Sequence, residues 1–192
     1  MTTVYFIRHA QSDRFVHDDR TRPLTDEGMS DTKRITEVLE NAGIQHIISS
    51  PYTRTIQTVT DLSQKLDIEI ETDEDFRERN AGQWHGENFL EFIRSQWEDF
   101  SYRILDGECL ADVQKRNISA LKRCLEKYDG KTIAVATHGT ALSTMINYFY
   151  PDYNFDSFMR ILDFMPYVVR MEIEGDKCLS YEEVLIIKKE YK

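Results

Sequence analysis

The chain has 192 residues, of which 41% are hydrophobic, 30% charged and 11% aromatic; one domain is expected at this length, with a core that needs no metal or disulfide staple. Its 34 acidic and 24 basic side chains leave a formal charge of −10, which repels polyanions and argues against a nucleic-acid or anionic-membrane binder. Mean hydropathy is −0.53 and no apolar run approaches the roughly 20 residues of a membrane span.

The first strand is expected at residues 3–7, immediately after Met1-Thr2, with no signal-peptide pattern before it. A helix over 25–41 follows, with Thr25 as cap, Asp26 and Glu27 at its positive end and Gly43 as its stop. Residues 44–49 read as a second strand. Ser50-Pro51 then reads as cap and first residue of a helix reaching about Leu66. A short strand at 68–72, helices at 88–97 and 110–128, and a strand at 132–137 come next. His138-Gly139 opens a helix through about Phe149, and strands at 167–173 and 179–187 close the chain around Gly175-Asp176. Strand–helix alternation with short connections predicts an α/β fold: a three-layer α/β/α sandwich on a mostly parallel sheet, with an antiparallel edge strand. Cys109, Cys124 and Cys178 form no CxxC pair and read as idle thiols of a reducing, cytoplasmic setting.

Ligands of such folds bind at the carboxyl ends of the strands, which here are followed by Arg8-His9-Ala10, Ser49-Ser50-Pro51 and Thr137-His138-Gly139. Arg8 offers a planar fork of donors for phosphate or carboxylate, and His9 an imidazole able to act as nucleophile or proton carrier. Both face one pocket only if the strand ends there, because neighbouring side chains of a strand point to opposite faces. His138 repeats the arrangement. Gly139 admits a ligand close to the backbone, and the N–H groups of Thr140 and Ala141 offer an anion site at the helix start. Arg54, one turn into the helix opened by Ser50-Pro51, is a cation at a positive helix end and calls for a compensating anion. Glu78 lies in an irregular loop with Trp84. An aromatic wall there would raise its pKa for general acid work, while Arg77 and Arg79 would oppose that or pair with it at the surface.

Six segments in this order carry a family resemblance: Phe6-Ile7-Arg8-His9-Ala10, Pro23-Leu24-Thr25-Asp26-Glu27-Gly28, Ser50-Pro51-Tyr52-Thr53-Arg54-Thr55-Ile56-Gln57-Thr58, Phe76-Arg77-Glu78 with Gly82-Gln83-Trp84-His85-Gly86, Gly107-Glu108, and Thr137-His138-Gly139. Over residues 4–140 the chain resembles the histidine phosphatase, or phosphoglycerate-mutase-like, superfamily. The resemblance implies phosphoryl transfer through a phosphohistidine on His9. Arg8, Arg54 and His138 would hold the phosphoryl oxygens, and Glu78 would serve as acid and then base. Gln11, Ser12, Gly139 and Thr140 are the further expected phosphate or substrate contacts. Ala10, Gln11, Phe15 and His85 depart from the residues usual in that family at their positions.

Mutases of the family carry a longer insertion, whereas this chain has only a small lid candidate at about 84–107 within one domain spanning 1–192. Water should therefore reach the phosphoenzyme, which favours a phosphatase over a mutase. In residues 1–22 four arginines face three aspartates, locally positive ground suited to a small phosphate ester. Phe89, Phe92, Trp97, Phe100 and Tyr102 read mainly as core, with some of them lining an apolar substrate wall. A metal hydrolase built on His9, His17, His85 and His138 lacks any ligand spacing, so no metal and no cofactor is expected. A non-catalytic phosphate-binding module is the other rival, and the acidic-aromatic tail at 176–192 is a candidate homodimer contact.

Overall fold

A computed structural model of the protein describes residues 1–82 and 88–189; Trp84 and His85, read above as wall and departure, lie outside them. Among the described residues six strands form one sheet: β1 (Thr2–Arg8), β2 (His46–Ser49), β3 (Ile70–Thr72), β4 (Thr132–Thr137), β5 (Phe164–Glu174) and β6 (Lys177–Lys188). Their order across the sheet is β3-β2-β4-β1-β5-β6. Pairs among β1 to β4 are parallel, while β5 runs antiparallel to both β1 and β6.

The reversed strand is therefore β5, which lies inside the sheet; β6, at the edge, points the same way as β1. The edge strand β6 pairs antiparallel with β5, as expected of the last two strands, and the antiparallel pairing extends inward to β1. The cause is the path of the chain, which re-enters the sheet beside the carboxyl end of β1, where Tyr167 pairs with Arg8. From there a strand can only run back.

Side-chain alternation sorts the apolar residues onto two faces. Ile7, Ile47, Ala134 and Ala136 pack under α1 (Asp26–Leu39) and α2 (Thr53–Leu66), whereas Val4, Phe6 and Val135 pack under α4 (Leu110–Lys127) and α5 (Gly139–Phe149). These are the three expected layers. A third cluster joins Phe92, Ile93 and Trp97 of α3 (Phe89–Glu98) to Phe158 of α6 (Phe155–Arg160). The aromatics at 89–102 thus serve mainly as packing.

Local differences have local reasons. Thr25 caps α1 as expected, its hydroxyl accepting the Gly28 N–H at 3.0 Å. α2, however, begins at Thr53 and not at Ser50. The Ser50 N–H still belongs to the sheet, donating to the Ala136 carbonyl at 2.9 Å, so the chain stays extended there. α6 was not expected, although Asn154 caps it by accepting the N–H groups of Asp156 and Ser157.

Gly28 faces the loop that follows β1, and a Cβ there would lie 2.2 Å from the Gln11 carbonyl oxygen. Backbone cannot yield as a flexible side chain does, so Gly28→Ala is expected to cost about 2 kcal/mol or more in urea unfolding. A loss under about 0.5 kcal/mol would show that this contact does not fix the loop.

Candidate active site

Three parallel strands stop at almost one level, for Arg8 pairs with Thr137 and Ser49 with Ala136. The ladder reaches one residue further, where the His9 N–H donates to the Thr137 carbonyl at 3.1 Å. His9 and His138 therefore leave the sheet side by side. Their rings meet edge to face with centroids 5.4 Å apart.

His9 lies 7% exposed, and its Nδ1 is 2.7 Å from the Ala10 carbonyl oxygen. A carbonyl only accepts, so Nδ1 carries the hydrogen and Nε2 keeps its lone pair. Burial pushes this imidazole well below its usual pKa, and the Arg54 and Arg8 charges add to the effect. The ring is thus neutral and its free nitrogen is nucleophilic. Thr58 holds the turn that carries it: its hydroxyl accepts the Ala10 N–H at 3.0 Å and donates to the Arg54 carbonyl at 2.6 Å.

His138 is fully buried, and its Nε2 lies 2.8 Å from the Ser50 hydroxyl. Burial, followed by Arg54 and His9, keeps its pKa well below the usual range as well. Its Nδ1 is buried with no hydrogen-bond partner among the described residues. An orphaned buried nitrogen is costly, so this ring sits in an unrelieved polar environment.

Arg8 is anchored on carbonyls, donating to Ile161 at 2.5 Å and Leu162 at 3.0 Å. A Cβ at Gly139 would lie 3.1 Å from the Arg8 guanidinium carbon, so glycine gives that group its room. Arg54 is the second residue of α2, earlier in its helix than expected. The compensating anion is Asp19, whose carboxylate lies 3.2 Å from Arg54 Nη2 and whose carbonyl accepts from Nη1 at 2.5 Å.

Glu78 corrects two expectations. Its carboxylate accepts the N–H groups of Thr140 and Ala141, each at 3.1 Å, and that of Arg79 at 2.8 Å. The anion at the start of α5 is therefore Glu78, and those N–H groups are not left open for phosphate. Nor does Glu78 form a surface bridge, since the Arg77 side chain pairs with Glu108 and that of Arg79 with Gln96. Sequence reading missed the brace beneath this loop. Arg116 donates to the carbonyls of Asp75, Arg77 and Glu78 at 2.8–3.0 Å while its fork grips the Glu108 carboxylate. Nothing local links Arg116 to residues 75–78; only Glu108, within the resemblance, pointed there.

A cavity of about 250 Å³ opens at this place. Arg8, His9, Arg54 and Glu78 line it, as do Ser12, Gly139 and Thr140. His138 is not in its wall; it touches the site through the His9 ring. Gln11 turns away: its side-chain carbonyl accepts the Thr25 hydroxyl at 2.8 Å, and it lines a separate cavity of about 650 Å³. The two cavities share Ser12, Arg22 and Met165. Phe89 and Ile93 give the smaller one an apolar side. Among the described residues no group of three or more His, Cys, Asp or Glu is placed to hold a metal, and no helix is long and apolar enough to cross a membrane.

The profile of the histidine phosphatase superfamily, branch 1, matches residues 4–180. A Yersinia pestis protein named "Probable phosphoglycerate mutase GpmB" is 29% identical over 159 residues, 77% of this chain and 74% of its own. Bacillus stearothermophilus YhfR superposes with a TM-score of 0.75 at 26% identity, covering 93% of this chain and 94% of YhfR. A phosphoserine phosphatase from Entamoeba histolytica, solved with phosphoserine, shares the fold with a TM-score of 0.76 at 18% identity over 94% of this chain and 96% of that one.

Neutral buried histidines tie stability to pH in a definite direction. The unfolded chain protonates His9 and His138 near pH 6.5 and the folded chain does not, so stability is full above that value and is lost as pH falls below it. Each ring contributes about 1.4 kcal/mol per pH unit to that slope. Urea unfolding of His9→Gln between pH 6 and 5 should show a slope shallower by about one proton. An unchanged slope would mean that His9 is charged in the folded protein.

Proposed function

The chain belongs to the histidine phosphatase superfamily, and on that premise we propose that it is a phosphomonoesterase acting on a small phosphate ester through a phosphohistidine, with no metal. The observation that carries this reading is the state of His9: Nδ1 committed to the Ala10 carbonyl, Nε2 without a partner among the described residues, the ring neutral and two guanidiniums beside it. Nε2 attacks phosphorus as the bond to the leaving alcohol breaks. Arg8 and Arg54 compensate the charge on the phosphoryl oxygens, which is most of what this chemistry demands of a protein. His138, buried edge to face against the His9 ring, backs the nucleophile.

Glu78 relays to the departing oxygen a proton that the monoanionic ester brings in, and is left as the carboxylate steadied by the Thr140 and Ala141 N–H groups. It then takes a proton from the attacking water. Phosphate leaves and His9 returns to its neutral form. The relative's name supports a second reading, a mutase that passes the phosphoryl group back to an organic acceptor. The larger cavity beside the smaller one, sharing Ser12, Arg22 and Met165 with it, supports hydrolysis instead, as room for water near the phosphoenzyme.

Phosphate release from a panel of sugar phosphates, nucleotides, phosphoglycerates and phosphopeptides tests the proposal. At least one should be turned over with chelator present, and His9→Ala should abolish release; full turnover by His9→Ala, or a large loss on chelation, would contradict it. Isomerisation of 3-phosphoglycerate with bisphosphoglycerate faster than phosphate release would select the mutase. Glu78→Gln should slow alkyl phosphates about 100-fold or more and nitrophenyl phosphate less than about tenfold. Equal losses would remove Glu78 from the acid role.

A further inference from the structure

Arg54 is only 3% exposed at its side chain, and two of its donors are already in use. Both go to Asp19, one to the carbonyl and one to the carboxylate. Asp19 also lies 3.3 Å from Arg22 Nη1, and both residues line the smaller cavity. A carboxylate is thus lodged between two guanidiniums of the very wall that faces His9. A phosphoryl dianion seeking the same forks meets a competitor of like charge.

The geometry says which partner moves. Arg54 is fixed in α2 and buried, whereas the Asp19 side chain is 45% exposed and needs only to rotate toward water. The backbone of its loop is held on both sides. The Arg20 fork closes on Glu74 at 2.8 and 2.7 Å, and the Arg20 carbonyl accepts the Thr53 N–H at 3.0 Å. Asp18 secures the loop from within, its carboxylate accepting the Thr21 N–H at 2.9 Å. The main chain of Asp19 can therefore keep its contact with Arg54 while the carboxylate leaves.

We infer that Asp19 is a tethered competitor for the phosphate clamp: its carboxylate holds Arg54 and Arg22 while the cavity is empty and is displaced by the substrate's phosphoryl group. The inference rests on the proposed function and adds a residue that sets affinity without reacting. By linkage, the apparent dissociation constant exceeds the intrinsic one by the reciprocal of the fraction of molecules in which the clamp is free. A carboxylate seated for two-thirds to nine-tenths of the time weakens phosphate binding about three- to tenfold. Release of the product profits from the same competition.

Calorimetric titration with inorganic phosphate of the unmodified protein, Asp19→Asn and Asp18→Asn tests this. Asp19→Asn keeps size and loop while removing the charge, and it should bind phosphate three- to tenfold more tightly, with KM for nitrophenyl phosphate falling in parallel. Asp18→Asn removes the same charge next door, from a residue outside the cavity wall, and should bind as the unmodified protein does. Equal affinity for the unmodified protein and Asp19→Asn overturns the inference and leaves the proposed function standing. An equal gain in both variants also overturns it, for the effect is then one of general charge. Binding of phosphate by none of the three overturns the reading of the site together with this inference.

Discussion

The level at which β1, β2 and β4 end is the constraint from which the rest of the site follows. In a parallel sheet the register between neighbours sets where each chain departs, and here Arg8 against Thr137 and Ser49 against Ala136 bring the exits together. Side chains alternate along a strand, so a slip of one residue would turn His9 and its neighbours onto the opposite faces. Burial enforces the register. Val4, Phe6 and Val135 fill the core on one side while Ile7, Ala134 and Ala136 fill it on the other. The apolar pattern thus positions imidazoles far apart in the chain.

Electrostatics then decides what the assembled groups can do. A cation buried without an anion is expensive, and the fold meets that cost with neutral carbonyls at Arg8 and with a movable carboxylate at Arg54. Neither solution neutralises the cavity permanently. Of the residues lining it, four arginines outnumber Asp19 and Glu78, so an incoming dianion finds an excess of positive charge. Burial, aided by the same guanidiniums, holds both histidines neutral, which is the form a nucleophile requires. The Arg116–Glu108 brace keeps Glu78 facing this charge by gripping the backbone that carries it.

Much of this was legible in the residues, and the limits were physical. Apolar runs ending in Arg8-His9 and Thr137-His138 marked strand ends because burial alone sets their periodicity. Thr25 marked a helix start because capping is local. Direction in the sheet was not local. The turn near Gly175 announced the β5–β6 hairpin, but the pairing of β5 with β1 depends on where the chain returns after α6. Ser50-Pro51 had the chemistry of a helix start and lost to the sheet, which claims the Ser50 N–H. Likewise the N–H groups of Thr140 and Ala141 looked open until Glu78 arrived from 62 and 63 residues away. Ser50 beside His138 and Arg116 beneath the 75–78 loop exist only as tertiary contacts. Gln11 sat in the right segment, yet its short reach to Thr25 turned it from the cavity.

The central claim is that His9 reacts through Nε2 because its other nitrogen is committed to the Ala10 carbonyl. Trapping the phosphoenzyme from a reactive phosphomonoester and recording phosphorus–nitrogen couplings on protein labelled with nitrogen-15 in its histidines addresses it directly. The account requires one phosphorylated imidazole, on the ninth residue, with phosphorus bonded to Nε2. Phosphorus on Nδ1, on another residue, or on none at all would contradict it.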